Sequence, residues 1–230
     1  MSKSIIIAID GFSSSGKSSM ARQLAKNIGY KYVDSGAMYR AVTLFALEHG
    51  MVSADGRTVD KESLVKALPA VKIDFKTVDG GQRTILNGND VEKEIRSLKV
   101  SNSVSPVAAI PEVRHALVKM QQAYGRDKRI VMDGRDIGTT VFPDAELKIF
   151  VNASAETRAM RRFKELSDKG EQSDYESVLE NIRSRDHIDM TRAESPLRRA
   201  DDAIDLDNSQ MTIEEQNNWL LQQFKKAAGE

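Results

Sequence analysis

Continuous apolar stretches alternate along the chain with stretches that are apolar on only one helical face, and this alternation predicts strands and helices in turn. Ser4–Asp10 is rich in β-branched residues and does not alternate, which is typical of a strand buried on both faces of a parallel sheet. Lys17–Ile28 follows with Met20, Leu24 and Ile28 on one stripe, which predicts an amphipathic helix. The chain therefore opens with a strand, a short loop and a helix.

The remaining pattern predicts further elements of both kinds. A helix is expected over 36–49, with Ser35 as its N-cap and Gly50 as its stop. The other predicted strands cover 30–33, 129–133, 147–151 and 203–206, and the other predicted helices follow Pro111 as far as Tyr124, cover 155–168 and 175–190, and begin at 213. This order of elements predicts an α/β protein.

The pattern changes between about Asp55 and Lys99. Val71–Val78 and Arg83–Asn87 predict two short strands, and Asp79-Gly80-Gly81 predicts the turn of an antiparallel hairpin between them. A hairpin within an α/β pattern indicates an inserted subdomain. We predict one domain, 1–230, with a core of 1–34, 106–154 and 173–230, a subdomain of 35–105 whose insert covers about 55–99, and a lid of 155–172.

Composition and charge narrow the classes of protein. The 230 residues carry 34 Lys and Arg against 34 Asp and Glu, a formal net charge of zero, whereas proteins that bind nucleic acid or anionic membranes usually carry a basic excess. The absence of cysteine excludes disulfides, thiolate metal sites and cysteine nucleophiles. Ile5–Ile9 is far shorter than the roughly 20 residues of a membrane span, and the polar first residues do not resemble a signal peptide. We expect a soluble, cytoplasmic monomer that binds neither nucleic acid nor membrane.

A glycine-rich loop follows the first predicted strand. Gly11–Ser18 matches G-x-x-x-x-G-K-[ST] in its required position between a strand and a helix. In such a loop, successive backbone N–H groups point inward and form a nest for phosphate oxygens at a helix N-terminus. Lys17 adds a positive charge for the β- and γ-phosphates, and the Ser18 hydroxyl takes a Mg²⁺ position. The residues predicted to bind the nucleoside triphosphate are Gly11, Phe12, Ser13, Ser14, Ser15, Gly16, Lys17, Ser18 and Ser19.

Arginines beyond this loop indicate a second, phosphate-bearing substrate. Two other classes of phosphate-loop protein do not fit the sequence. It lacks both the Asn-Lys-x-Asp element of GTP switches and the Leu-Ser-Gly-Gly-Gln signature of transporter ATPases. Arg40 lies just past the first turn of its predicted helix. Asp133-Gly134-Arg135-Asp136 follows a predicted strand, at the carboxyl edge where open parallel sheets bind ligands. Asp133, at the end of that strand, is placed to hold hydrated Mg²⁺.

Two predicted helices carry further arginines. Arg185, Asp189 and Arg192 are spaced i, i+4, i+7 and share one helix face. The preceding helix carries Arg158, Arg161 and Arg162. For both groups, ion pairing on a solvated helix surface is the alternative to substrate binding.

Five motifs resemble those of the bacterial cytidylate kinase family, in family order and over nearly the whole chain. They are the phosphate loop at 11–18, Asp34-Ser35-Gly36-x-x-Tyr39-Arg40, Ser105-x-Val107-Ala108-x-x-Pro111-x-Val113-Arg114, Asp133-Gly134-Arg135-Asp136-x-Gly138-Thr139 and Arg185-Asp186-x-x-Asp189-x-x-Arg192. The resemblance implies a three-layer phosphate-loop fold, in which helices cover both faces of a parallel sheet. It also implies a monophosphate-binding subdomain that carries the hairpin, and a helical lid.

The resemblance further implies a role for each second-substrate residue. By role, Arg40, Arg135 and Arg192 hold the phosphate of CMP, Ser105, Arg114 and Asp136 face the cytosine, Arg185 and Asp189 bind the ribose hydroxyls, and Ser35 belongs to the same site. The implied catalytic set is Lys17 and Arg135 together with the lid arginines Arg158, Arg161 and Arg162.

The implied reaction is phosphoryl transfer from Mg·ATP to CMP, and also to dCMP, which gives ADP and CDP or dCDP. An acceptor carboxylate at Asp136 beside a donor guanidinium at Arg114 is complementary to cytosine, which offers an amino donor next to ring acceptors. Two alternatives stay open. One is a kinase of the same fold that acts on UMP, AMP or another small phosphate acceptor, and the other is a nucleotide-binding regulatory module without transfer activity.

Overall fold

The computed structural model describes residues 3–78, 81–168 and 170–229. The strands are β1 (Ile6–Gly11), β2 (Lys31–Asp34), β3 (Ile73–Val78), β4 (Gly81–Leu86), β5 (Asn89–Asp90), β6 (Ile130–Gly134), β7 (Leu147–Asn152) and β8 (Ile204–Asp207). The helices are α1 (Lys17–Ile28), α2 (Ser35–Glu48), α3 (Lys61–Ala67), α4 (Leu98–Ala108), α5 (Pro111–Tyr124), α6 (Ala155–Asp168), α7 (Tyr175–Thr191) and α8 (Ile213–Ala228). Short 3₁₀ turns cover Leu68–Ala70 and Glu94–Arg96, and a π-helix covers Ile137–Val141.

The chain forms two compact units, residues 1–32 with 124–230 and residues 33–123. The first unit is built on a sheet of order β2-β6-β1-β7-β8, in which β1 runs parallel to β6 and β7, and β7 runs parallel to β8. Ile9 is in register with Asp133, and Gly11 with Val151. The chain segments that leave β1, β6 and β7 therefore start at one carboxyl edge. The predicted α/β fold with a parallel central sheet is confirmed.

A hydrophobic core in the first unit joins the sheet to its helices. Ile7 of β1, Val131 of β6 and Ile149 of β7 pack with Leu24 of α1 and Phe224 of α8. The parallel strands are buried along almost their whole length, which explains why their sequences do not alternate. A smaller apolar cluster joins α6 to α7 through Ala159, Leu166, Val178, Leu179 and Ile182. Each helix in the described part of the chain is too short or too polar to cross a lipid bilayer.

The second unit contains α2 to α5 and a small antiparallel sheet of order β3-β4-β5. Val78 of β3 pairs with Gly81 of β4, and the pairing extends antiparallel along both strands. The predicted hairpin is therefore confirmed, while Asp79 and Gly80 of its predicted turn lie outside the described residues.

Local capping and one proline account for two differences from prediction in this unit. Ser35 is not the N-cap of α2, because the carboxylate of Asp34 accepts the backbone N–H of Ala37 at 2.9 Å and supplies the cap one residue earlier. Helix α4 was not expected, since Pro106 lies inside it and interior proline removes a helical hydrogen bond. Its buried residues, such as Val100 and Val104, hold it against the rest of the unit.

Candidate active site

The phosphate loop adopts backbone angles that its glycines make accessible. Gly11 has φ +151° and Gly16 has φ +86°, and Ser14 between them is also left-handed, with φ +58°. A Cβ at Gly11 would lie 2.2 Å from the carbonyl oxygen of Val151, so the close approach of β7 excludes a side chain there. This turn, with three residues at positive φ, carries the chain from β1 into α1.

Side chains of the same unit occupy the carbonyl oxygens of the loop. Lys17 Nζ donates to the carbonyl of Phe12 at 2.9 Å, and Arg158 donates to that of Ser13 at 3.3 Å. The carbonyl of Ser15 accepts from Asn208 Nδ2 at 2.8 Å and from Arg161 at 3.3 Å. Side chains of the first unit therefore hold three carbonyls of the loop, those of Phe12, Ser13 and Ser15.

One side chain of the loop has polar capacity left for a ligand. The Ser15 hydroxyl is fully buried and has no hydrogen-bond partner among residues 3–78, 81–168 and 170–229. Buried hydroxyls are nearly always hydrogen-bonded in folded proteins. The orphaned Oγ, which belongs to a Gly-Lys-Ser loop, fits a bound phosphate oxygen.

The end of β6 places a carboxylate beside the start of α1. Asp133 is buried and accepts the Ser18 hydroxyl at 2.7 Å and the Tyr32 hydroxyl at 2.8 Å. Hydroxyl and carboxylate oxygens are the ligands that Mg²⁺ prefers, and Mg²⁺ is usually bound by one or two such groups together with substrate phosphates. The donor set at this position therefore fits the predicted Mg²⁺ site, and Tyr32 fixes the rotamer of Asp133.

An arginine cluster follows β6 in the same unit. Arg135 Nε donates to Asp189 at 2.8 Å, and Arg192 approaches the other Asp189 oxygen at 3.3 Å. Burial opposes the charge of Asp189, but Arg135 and Arg192 outweigh it and hold the pKa of Asp189 below its ordinary value. Burial likewise opposes the charge of Arg135, yet Asp189 raises the pKa of Arg135, and Asp133 also favours its charged form. The cluster thus stays ionised and lies within electrostatic reach of the predicted Mg²⁺ ligand.

Arg185 adds a further positive charge that the protein does not fully compensate. Burial and, after it, the neighbouring Arg135 lower the pKa of Arg185 to about 10. Its buried Nε has no hydrogen-bond partner in the part of the chain that the structure describes. A half-buried guanidinium whose buried Nε is an unused donor, beside other guanidinium groups, suits a polar or anionic ligand.

Helix α6 directs its arginines toward the loop and α7. Arg158 is 4% exposed, pairs with both oxygens of Asp186 at 2.7 and 3.0 Å, and lies 4.9 Å over the Phe12 ring. Arg161 donates to the side-chain and backbone oxygens of Asn208 at 3.0 and 2.8 Å. Arg162 pairs with Glu165 at 2.9 Å on the same helix. Two of the three predicted lid arginines therefore already support the phosphate loop.

A family model described as Cytidylate kinase matches residues 7–226. The chain belongs to the cytidylate kinase family. It is 58% identical over 229 residues to the cytidylate kinase of Parabacteroides distasonis, covering 99% of each chain, and 57% identical over 228 residues to that of Bacteroides fragilis, covering 98% of each. A solved structure of an uncharacterized protein from Eubacterium ventriosum aligns with a TM-score of 0.52 at 10% identity, over 97% of this chain and 99% of that one, which shows likeness of fold alone. The family that the five motifs indicated is therefore confirmed.

The first unit brings together several residues of the cytidylate kinase motifs. Lys17 and Ser18 of the loop lie in it, as do Asp133, Arg135, Asp136, Arg185, Asp189 and Arg192. Arg192 is not inside the predicted helix, because α7 ends at Thr191 and Arg192 is its C-cap, where ψ is 143°. From there its guanidinium binds the Ser195 carbonyl at 2.8 and 2.9 Å and lies 3.9 Å from Asp136.

The second unit carries the other residues predicted to bind the acceptor, namely Ser35, Arg40, Ser105 and Arg114. Ser35 and Ser105 are buried, and Arg40 donates to the Ile95 carbonyl at 3.2 Å and the Ser101 hydroxyl at 2.9 Å. Arg114 is 1% exposed, donates to the Ala108 carbonyl at 3.0 Å and lies 5.1 Å from the centre of the Tyr39 ring. Contacts within the second unit therefore hold the side chains of Arg40 and Arg114.

Four residues that support the site were given no role in the predictions from sequence. Tyr32, Arg96 and Asn208 have no place in any motif that the pattern analysis used, and Asp186 was noted only as part of the last family motif. Arg96 pairs with the buried Asp34 at 2.8 Å. Burial opposes ionisation of Asp34, but Arg96 outweighs it and lowers the pKa of that carboxyl. Each contact joins residues far apart in sequence, so local spacing carries no signal for it.

Proposed function

We propose that this chain transfers the γ-phosphoryl group of ATP to CMP, and also to dCMP. An oxygen of the acceptor phosphate attacks the γ-phosphorus, the bond from that phosphorus to the bridging oxygen breaks, and ADP leaves. No covalent enzyme intermediate is required, because positioning and charge neutralisation supply the catalysis in phosphoryl transfer. The observation that carries the proposal is 58% identity to a cytidylate kinase over 99% of both chains.

The proposal assigns the donor phosphates to the loop. The loop amides and Lys17 bind the phosphates of ATP, and Ser18 and Asp133 hold Mg²⁺. When bound, the ion neutralises charge on the phosphate oxygens. The 2.7 Å contact between Ser18 and Asp133 supports this assignment, as does the orphaned Ser15 hydroxyl.

The acceptor roles follow the family motifs. Arg135 and Arg192 bind the CMP phosphate, as does Arg40 of the second unit. Asp136, with Ser105 and Arg114, recognises cytosine, and Arg185 with Asp189 binds the ribose. The buried, unused Nε of the half-buried Arg185 supports the presence of a polar ligand beside this cluster.

The proposal gives α6 a part in the transfer. Arg158, Arg161 and Arg162 add positive charge near the loop, and the lid at 155–172 excludes water when both substrates are bound. The contacts of Arg158 and Arg161 with loop carbonyls support a role at the donor side.

An acceptor panel tests the function. ADP release is measured with ATP and, in turn, CMP, dCMP, UMP and AMP, and CMP and dCMP are expected to give the highest kcat/KM. Lys17→Ala is expected to lower turnover by orders of magnitude, because it removes the charge at the β- and γ-phosphates. Failure of CMP to stimulate ADP release would leave only a nucleotide-binding module, and a preference for UMP or AMP would contradict the assigned acceptor.

A further inference from the structure

Asp10 is a buried carboxylate that none of the roles above uses. It lies in β1, directly before Gly11, the first residue of the phosphate loop, and it is 5% exposed. Its two oxygens accept the backbone N–H groups of Ile137 at 2.8 Å and Gly138 at 2.7 Å. These amides lie 127 and 128 residues further along the chain, directly after Asp136.

The two amides are the first N–H groups of a helical turn, and the side chain of the preceding residue, Asp136, does not cap that turn. The π-helix Ile137–Val141 begins after Asp136, which has φ −146° and ψ 25°, and the Asp136 side chain makes no capping hydrogen bond among the described residues. The first N–H groups of a helix need acceptors, and Asp at the N-cap usually provides one from its own carboxylate. Here Asp10 provides both acceptors from another strand.

This arrangement leaves the Asp136 carboxylate outside the cap of the turn that follows it. If Asp136 capped its own helix, its oxygens would fold back onto the backbone of the following residues. With Asp10 in that role, Asp136 stays buried and lies 3.9 Å from Arg192 of the acceptor cluster. A displacement of about 1 Å at such a group can cost a hundredfold in rate.

We propose that Asp10 is a positioning residue for acceptor specificity, which it sets by capping the Ile137–Val141 turn and thereby orienting Asp136. This inference rests on the proposed function, in which Asp136 recognises cytosine. Asp10 acts through the backbone amides of Ile137 and Gly138.

The cost of keeping a carboxylate at this position supports a specific role. Burial raises the pKa of Asp10 to about 7, although the amides of Gly138 and Ile137 and the charge of Lys17 counteract it. The space around the contact is also filled, because a Cβ at Gly138 would lie 3.4 Å from an Asp10 oxygen and 3.2 Å from Lys148 Cδ. Only the ionised form of Asp10 offers two equivalent oxygens to the two amides, whereas an asparagine side chain has a single acceptor oxygen.

The decisive variant is Asp10→Asn, which keeps the size of the side chain and turns an NH₂ group toward one of the two N–H donors. We expect kcat/KM for CMP to fall by about tenfold or more, with a smaller fall for UMP, so that the CMP-to-UMP ratio drops. Asp60→Asn is the matched control. Asp60 also accepts a backbone N–H, from Ser63 at 3.0 Å, and asparagine caps helices equally well, so the ratio is expected to stay unchanged.

A fall of equal size for CMP and UMP, with the ratio preserved, would make Asp10 a general structural support and overturn the proposal. So would an unchanged enzyme. If Asp10→Asn does not fold, amide hydrogen exchange on the nucleotide-free wild-type protein decides. Protection of the Ile137 and Gly138 amides supports a cap that exists before substrate binds, and exchange at the rate of an unstructured peptide overturns it. Wild-type protein inactive toward CMP would instead contradict the proposed function.

Discussion

Replacing Arg158 with methionine tests how the phosphate loop is held. Arg158→Met keeps the apolar stem over Phe12 but removes the bidentate pair with Asp186 and the bonds to the carbonyls of Ala153 and Ser13. Removing one partner of a buried ion pair costs about 3–5 kcal/mol, because the other charge is left uncompensated. The Asp186 side chain is 13% exposed and keeps part of its hydration, so we expect a loss of about 3 kcal/mol.

The assay is urea unfolding, with thermal unfolding as a second probe. A loss of about 3 kcal/mol corresponds to roughly 6–12 °C in Tm for a chain of this size. Arg162→Met is the matched control on the same helix, since its i,i+3 pair with the half-exposed Glu165 is worth only about 0.3–0.5 kcal/mol. KM for ATP is also expected to rise in Arg158→Met, because the Ser13 carbonyl loses its donor.

A double variant separates the ion pair from simple loss of packing. Arg158→Met combined with Asp186→Asn leaves no buried charge unpaired, so it is expected to be more stable than Arg158→Met alone by about 1 kcal/mol or more. Equal losses in Arg158→Met and Arg162→Met would refute the reasoning, as would a double variant whose loss is the sum of the two single losses.

Two further predictions concern other buried carboxylates. Arg96 keeps the pKa of Asp34 below its unfolded value of 3.8, so Asp34 stabilises the fold at neutral pH and loses that contribution as the pH falls through its folded pKa. Arg96→Gln should therefore be destabilised most at pH 7, with a gap to the wild type that narrows below about pH 4, and a gap independent of pH would contradict this. Tyr32→Phe removes one hydrogen bond from Asp133. We expect a loss of about 1.5–3 kcal/mol in urea unfolding and a higher Mg²⁺ requirement for turnover, and no change in either would contradict the assigned role of Tyr32.

Elements with regular periodicity were predictable from sequence. The starts of α1 and α8 and the hairpin of β3 and β4 follow from spacing and turn residues. The π-helix at Ile137–Val141 and the helix that contains Pro106 were not predicted. Val100, Val104 and Val107 of the second helix do have helical spacing, but an interior proline usually ends a helix. Tertiary contacts stabilise these segments, and a local pattern does not record them.

The residues of the candidate site also fall into two groups, those that could be predicted from sequence and those that could not. The motif residues of the loop and the Arg185, Asp189 and Arg192 group could be chosen because their chemistry is concentrated in short strings. Their supports could not: Asn208 binds the Ser15 carbonyl across 193 residues, and Asp10 binds its amides across 127 and 128. A buried polar residue with distant partners looks, in sequence, like any other polar residue beside a strand.

Following the label from [γ-³²P]ATP during incubation with CMP tests the account most directly. We expect the label to move into CDP only when CMP is present, and Lys17→Ala to slow this transfer by orders of magnitude. Label that appears only as inorganic phosphate, or that stays in ATP when CMP is added, would contradict it.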